Sequence, residues 1–395
     1  MGRNPCGSTD LSAYLSVFLN VSHIYEINDV IKCVRGKMAG GKVCRELFKK
    51  IGALFLGLFL AAVIPILILC ATPLYAFRFF VSKLAKFLRP DFGKILHTRG
   101  ATLSVDDIYS GSPTNNIFVA GIVNGKLSLD IFRQNVMRVV MQKAPDGSLH
   151  NQEIQQEIVS WMGYHFWRWD QNFRIENHVR MYDGVYKDKI EKEGCCTVDT
   201  LRMISAEFIR TPFAPGRSPW EAVVIHNVRT EEYEEGTSQP KSMVALRVHH
   251  SLADGFSVLK VITIDLMVAQ YERAQAQFQN RTLARKILDG LWALIKIPFE
   301  GAYQIIESID INEWHIPEDK LARDYLVGVT PRIPLQVIKD IKNQHDTSFT
   351  CILLASFAGG IRKFMLNNGY KVPRTMHCLT PLPMPGHPSK LRNHL

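Results

Sequence analysis

His249-His250-Ser251-Leu252-Ala253-Asp254-Gly255 gathers two imidazoles, a carboxylate and a glycine into seven consecutive positions. A neutral imidazole, with an ordinary pKa of about 6.5, is suited to take a proton from an alcohol near neutral pH. If the acyl donor is already a thioester, no serine or cysteine nucleophile is required. The alcohol oxygen attacks the thioester carbonyl directly while the ring takes its proton. A metal site made of His249, His250 and Asp254 is the weaker reading. Adjacent histidines on a strand diverge, and no second cluster of Glu, Asp or His lies nearby in the sequence.

The elements that must position these groups can be read outward from the motif. Residues 243–249 alternate in the manner of a strand and deliver the two histidines at its carboxyl end. Successive side chains on a strand point to opposite faces, so one ring can face a cleft while the other packs inward. Asp254 lies across a tight turn closed by Gly255, and residues 256–273 read as the helix that follows. Residues 221–228 read as a partner strand, joined through a polar loop, 229–242, that carries four glutamates. Upstream, residues 116–123 form a strand ended by the turn pair Asn124-Gly125. Residues 127–142 have helical spacing with Ser128 as a cap, and 198–209 read as a further helix. Downstream, residues 288–302 are apolar enough to lie on a membrane or line a lipid groove, although core packing is the commoner fate of such a helix. Helices over 335–344 and 351–367 and a strand-like stretch at 377–380 complete a mixed α/β pattern.

The charge of +10 is confined: residues 1–100 hold 14 Lys and Arg against 5 Asp and Glu, so the other 295 residues are nearly neutral. A basic terminus around an apolar run suits an anionic membrane surface, and the sequence offers no zinc-finger spacing or aromatic-interleaved basic helix for nucleic acid. Residues 51–77 are uncharged for 27 positions, longer than the roughly 20 needed to cross a bilayer. Basic residues flank both ends, and Pro65 and Pro73 lie within. Either one tilted span or a bent re-entrant hairpin fits. The eight cysteines are scattered without a Cys-x-x-Cys pair, as expected of free thiols in a reducing compartment.

Five stretches occur in a fixed order. Leu103-Ser104-Val105-Asp106-Asp107 precedes the first of these strands, and Phe173-Arg174-Ile175-Glu176-Asn177-His178-Val179-Arg180 follows. Arg217-Ser218-Pro219-Trp220-Glu221 feeds the strand before the motif, Val248-His249-His250 runs on to Gly255, and Pro381-Leu382-Pro383 is followed by Leu391-Arg392-Asn393. Over residues 101–395 this series resembles the wax ester synthase / diacylglycerol acyltransferase family, related more distantly to condensation domains. The resemblance implies an α/β, chloramphenicol-acetyltransferase-like (condensation-type) lobe at 101–325, behind a basic region at 1–100 with its membrane helix. Residues 326–395 would begin a second, truncated lobe. It implies His250 as general base, His249 as a supporting residue, Asp254 holding the loop through a charge pair, and Gly255 leaving room for the acyl-CoA arm. Fatty acyl-CoA would be the co-substrate, with no other cofactor, and a long-chain alcohol or diacylglycerol the acceptor, giving wax ester or triacylglycerol. The site would be the endoplasmic reticulum or plasma membrane, with the lobe in the cytosol. Arg174 stands where the family has Asp, and 347–353 replaces its Thr-x-Asn-Asp-Val. The missing Asn-Asp and the truncated second lobe favour the alternative of a catalytically impaired, membrane-tethered protein that binds lipid or acyl-CoA.

Overall fold

The computed structural model describes residues 40–111, 113–229, 240–262, 282–309, 326–328, 333–373, 376–378 and 390–393. The uncharged run lies inside one helix, α1 (Gly40–Leu88), of 49 residues. At about 1.5 Å per residue it is roughly 74 Å long, more than twice a hydrocarbon core of about 30 Å. Pro65 and Pro73 each remove one backbone donor, yet the helix continues through both. The bent hairpin is therefore not the conformation adopted. Nor is the run a core helix, since its large side chains are uncovered; Leu69 is 72% exposed.

β1 (Phe92–Ile95) and the short α2 (Thr98–Thr102) follow, then β2 (Asn116–Asn124) and α3 (Leu129–Val140). Ser128 caps α3 as expected, its hydroxyl accepting from the Ile131 N–H. β3 (Gln156–Trp161) and β4 (Tyr164–Trp169) form a hairpin that the sequence pattern does not announce. Its turn residues, Met162 and Gly163, both have positive φ (49° and 78°), the geometry that Asn-Gly usually signals. α4 (Ile175–His178), β5 (Val179–Met181), α5 (Lys187–Glu193) and α6 (Val198–Arg210) lead to β6 (Trp220–His226) and β7 (Lys241–His249). Next come α7 (Gly255–Lys260), α8 (Leu283–Glu307), α9 (Leu335–Gln344) and α10 (Phe349–Asn367). The helix expected over 256–273 is thus seen as α7, and its part beyond residue 262 lies outside the described residues, as do 230–239 of the polar loop. Residues 376–378 form no strand, and the rest of 377–380 lies outside the described residues. Among the described residues, α1 (from Glu46) and α10 are long and apolar enough to cross a membrane, by length and composition.

Two compact units result. The first contains α1 up to Phe77, α8, and the chain from Gly360 to Thr380. The second contains both sheets: β1-β4-β3, and a four-stranded sheet in the order β2-β7-β6-β5, antiparallel except for the parallel β5–β6 pair. β7 is interior, with Asn116 of β2 opposite His249 and Trp220 of β6 opposite Val248. It is covered on both faces, which is why Met243-Val244-Ala245-Leu246 at its centre is an unbroken apolar run. Met243 and Ala245 pack with Leu201, Ile204 and Phe208 of α6. Val248 packs with Val136 and Val140 of α3, with Leu252 and Ala253 of the motif, and with Val258 of α7. Leu391, from the segment expected to begin a second lobe, lies in this same core.

Candidate active site

The backbone of the motif is held from both neighbouring strands. The His249 N–H donates to the Pro219 carbonyl (2.9 Å), and the His250 N–H to the Asn115 carbonyl (2.7 Å). The Leu252 N–H closes a turn on His249 O (3.0 Å). The two rings part company, as their positions at the strand end require.

His249 is fully buried. Its Nε2 lies 3.0 Å from Asp106 Oδ1, and its Nδ1 lies 2.7 Å from Ser251 Oγ and 3.2 Å from the Ser251 amide nitrogen. A carboxylate only accepts, so Nε2 carries the hydrogen and Nδ1 receives the serine donors. Both nitrogens are occupied. Burial lowers the pKa of this imidazole, outweighing the pull of Asp106, so the ring is neutral at neutral pH. Burial pushes the Asp106 carboxyl up, but the Asn115 amide, His249 and the Thr114 amide outweigh it and bring the group down to about 2. Those amides donate to Oδ2 at 3.0 and 2.7 Å.

His250 is partly exposed, and its Nδ1 lies 3.0 Å from Asn393 Oδ1. The Asn393 amide group cannot be reversed, because its Nδ2 donates to the carbonyls of His250 (2.6 Å) and Ser251 (3.4 Å). Its oxygen therefore faces the ring, Nδ1 carries the hydrogen, and Nε2 presents a lone pair. No described residue bonds that atom. Of the two imidazoles, His250 is the one that keeps a ring nitrogen unbonded by any described residue.

Asp254 is fully buried and caps α7: its Oδ1 accepts from the Ser257 N–H at 2.8 Å, with Ser257 Oγ also at 2.8 Å. Ser257 Oγ lies 3.0 Å from the Arg392 carbonyl, which ties the cap to the segment that brings Asn393. A side chain at Gly255, the first residue of α7, would meet no described atom within 4 Å. Among the described residues, no group of three or more His, Cys, Asp or Glu is placed to hold a metal.

The other expected stretches surround this centre. Trp220 donates from Nε1 to the Ile154 carbonyl (2.8 Å), and its own carbonyl accepts from His178 Nδ1 (2.7 Å). The His178 ring is sandwiched between Trp220 and Phe173, at centroid distances of 4.5 and 5.2 Å. Asp106 and Asn393 lie in stretches the sequence singles out, but their individual roles are invisible there. Each meets its histidine across 143 residues. Arg247, two residues before His249 on the same face, has no sequence signal beyond being a charge inside an apolar strand.

Acid should unfold this region early. Burial lowers His249 and His178 below the ordinary 6.5. Their unfolded counterparts take up protons as pH falls past about 6.5 while the folded rings do not. Stability is therefore full above that value and declines below it. Asp106 adds a second loss as pH falls from about 3.9 towards about 2. Denaturant midpoints should drop between pH 7.5 and pH 5; an equal or higher midpoint at pH 5 contradicts the neutral, buried rings.

No protein-family model matches the chain, and no curated protein matches it. Among solved structures it is similar to the wax ester synthase/diacylglycerol acyltransferase from Marinobacter aquaeolei, with TM-score 0.38 and 12% identity, covering 70% of this chain and 61% of that one. It is also similar to the X-domain from teicoplanin biosynthesis (TM-score 0.30, 14% identity, 50% and 39% covered). A third likeness is to the starter condensation domain of rhizomide synthetase (TM-score 0.28, 9% identity, 46% and 36% covered). The chain spans less than two thirds of the length of each. At these values the chemistry of the site rests on its own geometry.

Proposed function

We propose that the chain carries an O-acyltransferase site that moves a fatty acyl group from acyl-CoA to a long-chain alcohol or diacylglycerol, at the cytosolic face of a membrane such as the endoplasmic reticulum or plasma membrane. The observation that carries this reading is the His250 ring, with Nδ1–H held by Asn393 and Nε2 unclaimed by any described residue. In the reaction, Nε2 takes the hydroxyl proton as the acceptor oxygen attacks the thioester carbonyl. A C–O bond forms, the C–S bond breaks as the tetrahedral intermediate collapses, and the proton passes from Nε2 to the departing thiolate. His249 keeps the strand end in place, Asp254 fixes the start of α7, and Gly255, lacking a side chain, leaves room for the donor. The long apolar α1 supports a lipid acceptor, because such molecules reside in the bilayer.

The full chain in lipid vesicles, given a fatty acyl-CoA with hexadecanol or dioleoylglycerol, should release CoA in step with ester, and short polar alcohols should be poor acceptors. Bound acyl-CoA without ester would overturn this reading and leave a lipid-binding protein. Asn393→Leu should lower kcat by about 10- to 100-fold, the size seen when a metal-bound imidazole loses its orienting partner, with KM little changed. An unchanged kcat would remove Asn393 from the mechanism.

A further inference from the structure

We propose that α8 is a second membrane-inserted element, its residues 283–297 lying among lipid chains beside the uncharged run of α1. This rests on the reading of α1 as the membrane anchor. The two helices meet over their charged ends and run in opposite directions. Tyr303 Oη lies 3.4 Å from Glu46 Oε2, and Lys49 Nζ lies 2.5 Å from Glu307 Oε1. Gly52 meets Ile306, and further along α1 a side chain at Gly57 would lie 3.0 Å from Phe299 Cα. From Lys49 and Glu307 through Gly52 and Ile306 to Gly57 and Phe299 the number rises along α1 while it falls along α8, so residues 297 down to 283 continue along the uncharged run. Fifteen residues at about 1.5 Å each extend roughly 22 Å, most of the thickness of a hydrocarbon core.

That half of α8 is not covered by protein among the described residues, against the expectation of core packing. Leu288, Leu291, Leu294, Ile295 and Ile297 are exposed, with Leu294 and Ile295 both at 69%. Residues 283–297 carry four charges, Arg285, Lys286, Asp289 and Lys296, of which Arg285 and Asp289 pair with each other (3.6 Å) and Lys296 lies against Trp292, its ammonium 5.3 Å from the ring centre. An open depression of about 360 Å³ runs from that ion pair along Leu288, Leu291, Trp292 and Ile295. An apolar helix face with an ion pair at one end suits the acyl-chain region below lipid headgroups. Continuity with α1 favours lipid over a soluble partner.

Trp292 is the natural probe. The full chain is placed in phosphatidylcholine vesicles with and without chain-brominated phosphatidylcholine, beside Trp292→Phe. The emission difference between the two proteins should fall at least twofold with bromine. Phe59→Trp on the Trp292→Phe background supplies a reporter on α1 that shows whether α1 itself is inserted. If that α1 reporter is quenched and the Trp292 emission is not, the proposal for α8 is overturned while the anchor stands. Acrylamide then shows whether water or a protein partner covers that face, and either result counts against lipid. If neither is quenched, the anchor reading and this proposal fall together. Ester formation in the same vesicles is scored separately, so failure of the acyltransferase reading is distinguishable from either.

Discussion

Replacing His250 by alanine is expected to lower the rate of ester formation by about 10²- to 10⁴-fold, the usual contribution of a positioned general base. The loss should fall mainly on kcat, because the ring acts on a proton in flight rather than on the bulk of either substrate. His249→Ala tests the division of labour between the neighbours. Both of its nitrogens are already bonded, to Asp106 and Ser251, so its loss acts through the strand end and should lower stability together with activity. His250→Ala should leave the unfolding midpoint nearly unchanged, since that ring is partly exposed. A variant at 250 that is both fully active and stable would assign the proton transfer elsewhere.

The second large effect concerns Arg247, which is 1% exposed in the middle of the sheet. Its Nε donates to Glu221 Oε1 at 2.7 Å, and its Nη1 to the Phe208 carbonyl at 2.7 Å. The Thr211 and Pro212 carbonyls complete its partners. These carbonyls come from the end of α6 and just beyond it, where a helix leaves acceptors unpaired and favours a cation. The guanidinium is also stacked between Phe208 and Phe213, 4.7 and 4.3 Å from the ring centres, and Phe213 meets the edge of His249. Arg247→Ala strands a buried carboxylate and the helix end, for which about 3–5 kcal/mol is expected. Arg180, 3.0 Å from Glu221 Oε2, keeps one partner for that carboxylate and places the loss near the lower end, about 3 kcal/mol. Arg247→Lys should recover only part of it, because an ammonium cannot reproduce the planar fork. Denaturant unfolding of the full chain measures both; a loss under about 1 kcal/mol for alanine would show that the charge contributes little.

The sequence is informative where periodicity and local chemistry coincide. The strand bearing the histidines, its partner ending at His226, β2, and the Ser128 cap all follow from neighbours a few residues apart. The β3–β4 hairpin escapes because Met162 occupies a left-handed position that ordinarily announces itself as Asn or Gly. α1 is longer than the uncharged run, since its charged flanks are also good helix formers. Frequency alone favours the core for the first half of α8, and only the structure exposes it. The tautomers of the two rings are not legible in the sequence. They depend on an aspartate and an asparagine that reach the histidines through the folded chain, and no local pattern records such contacts.

Chemical rescue tests the proton transfer most directly. In His250→Ala, added imidazole should restore ester formation in proportion to its concentration, and imidazoles methylated on carbon should follow their basicity until size excludes them. An intact fold that stays inactive at every imidazole concentration, or one that is already active without it, would contradict a proton taken at Nε2 of His250.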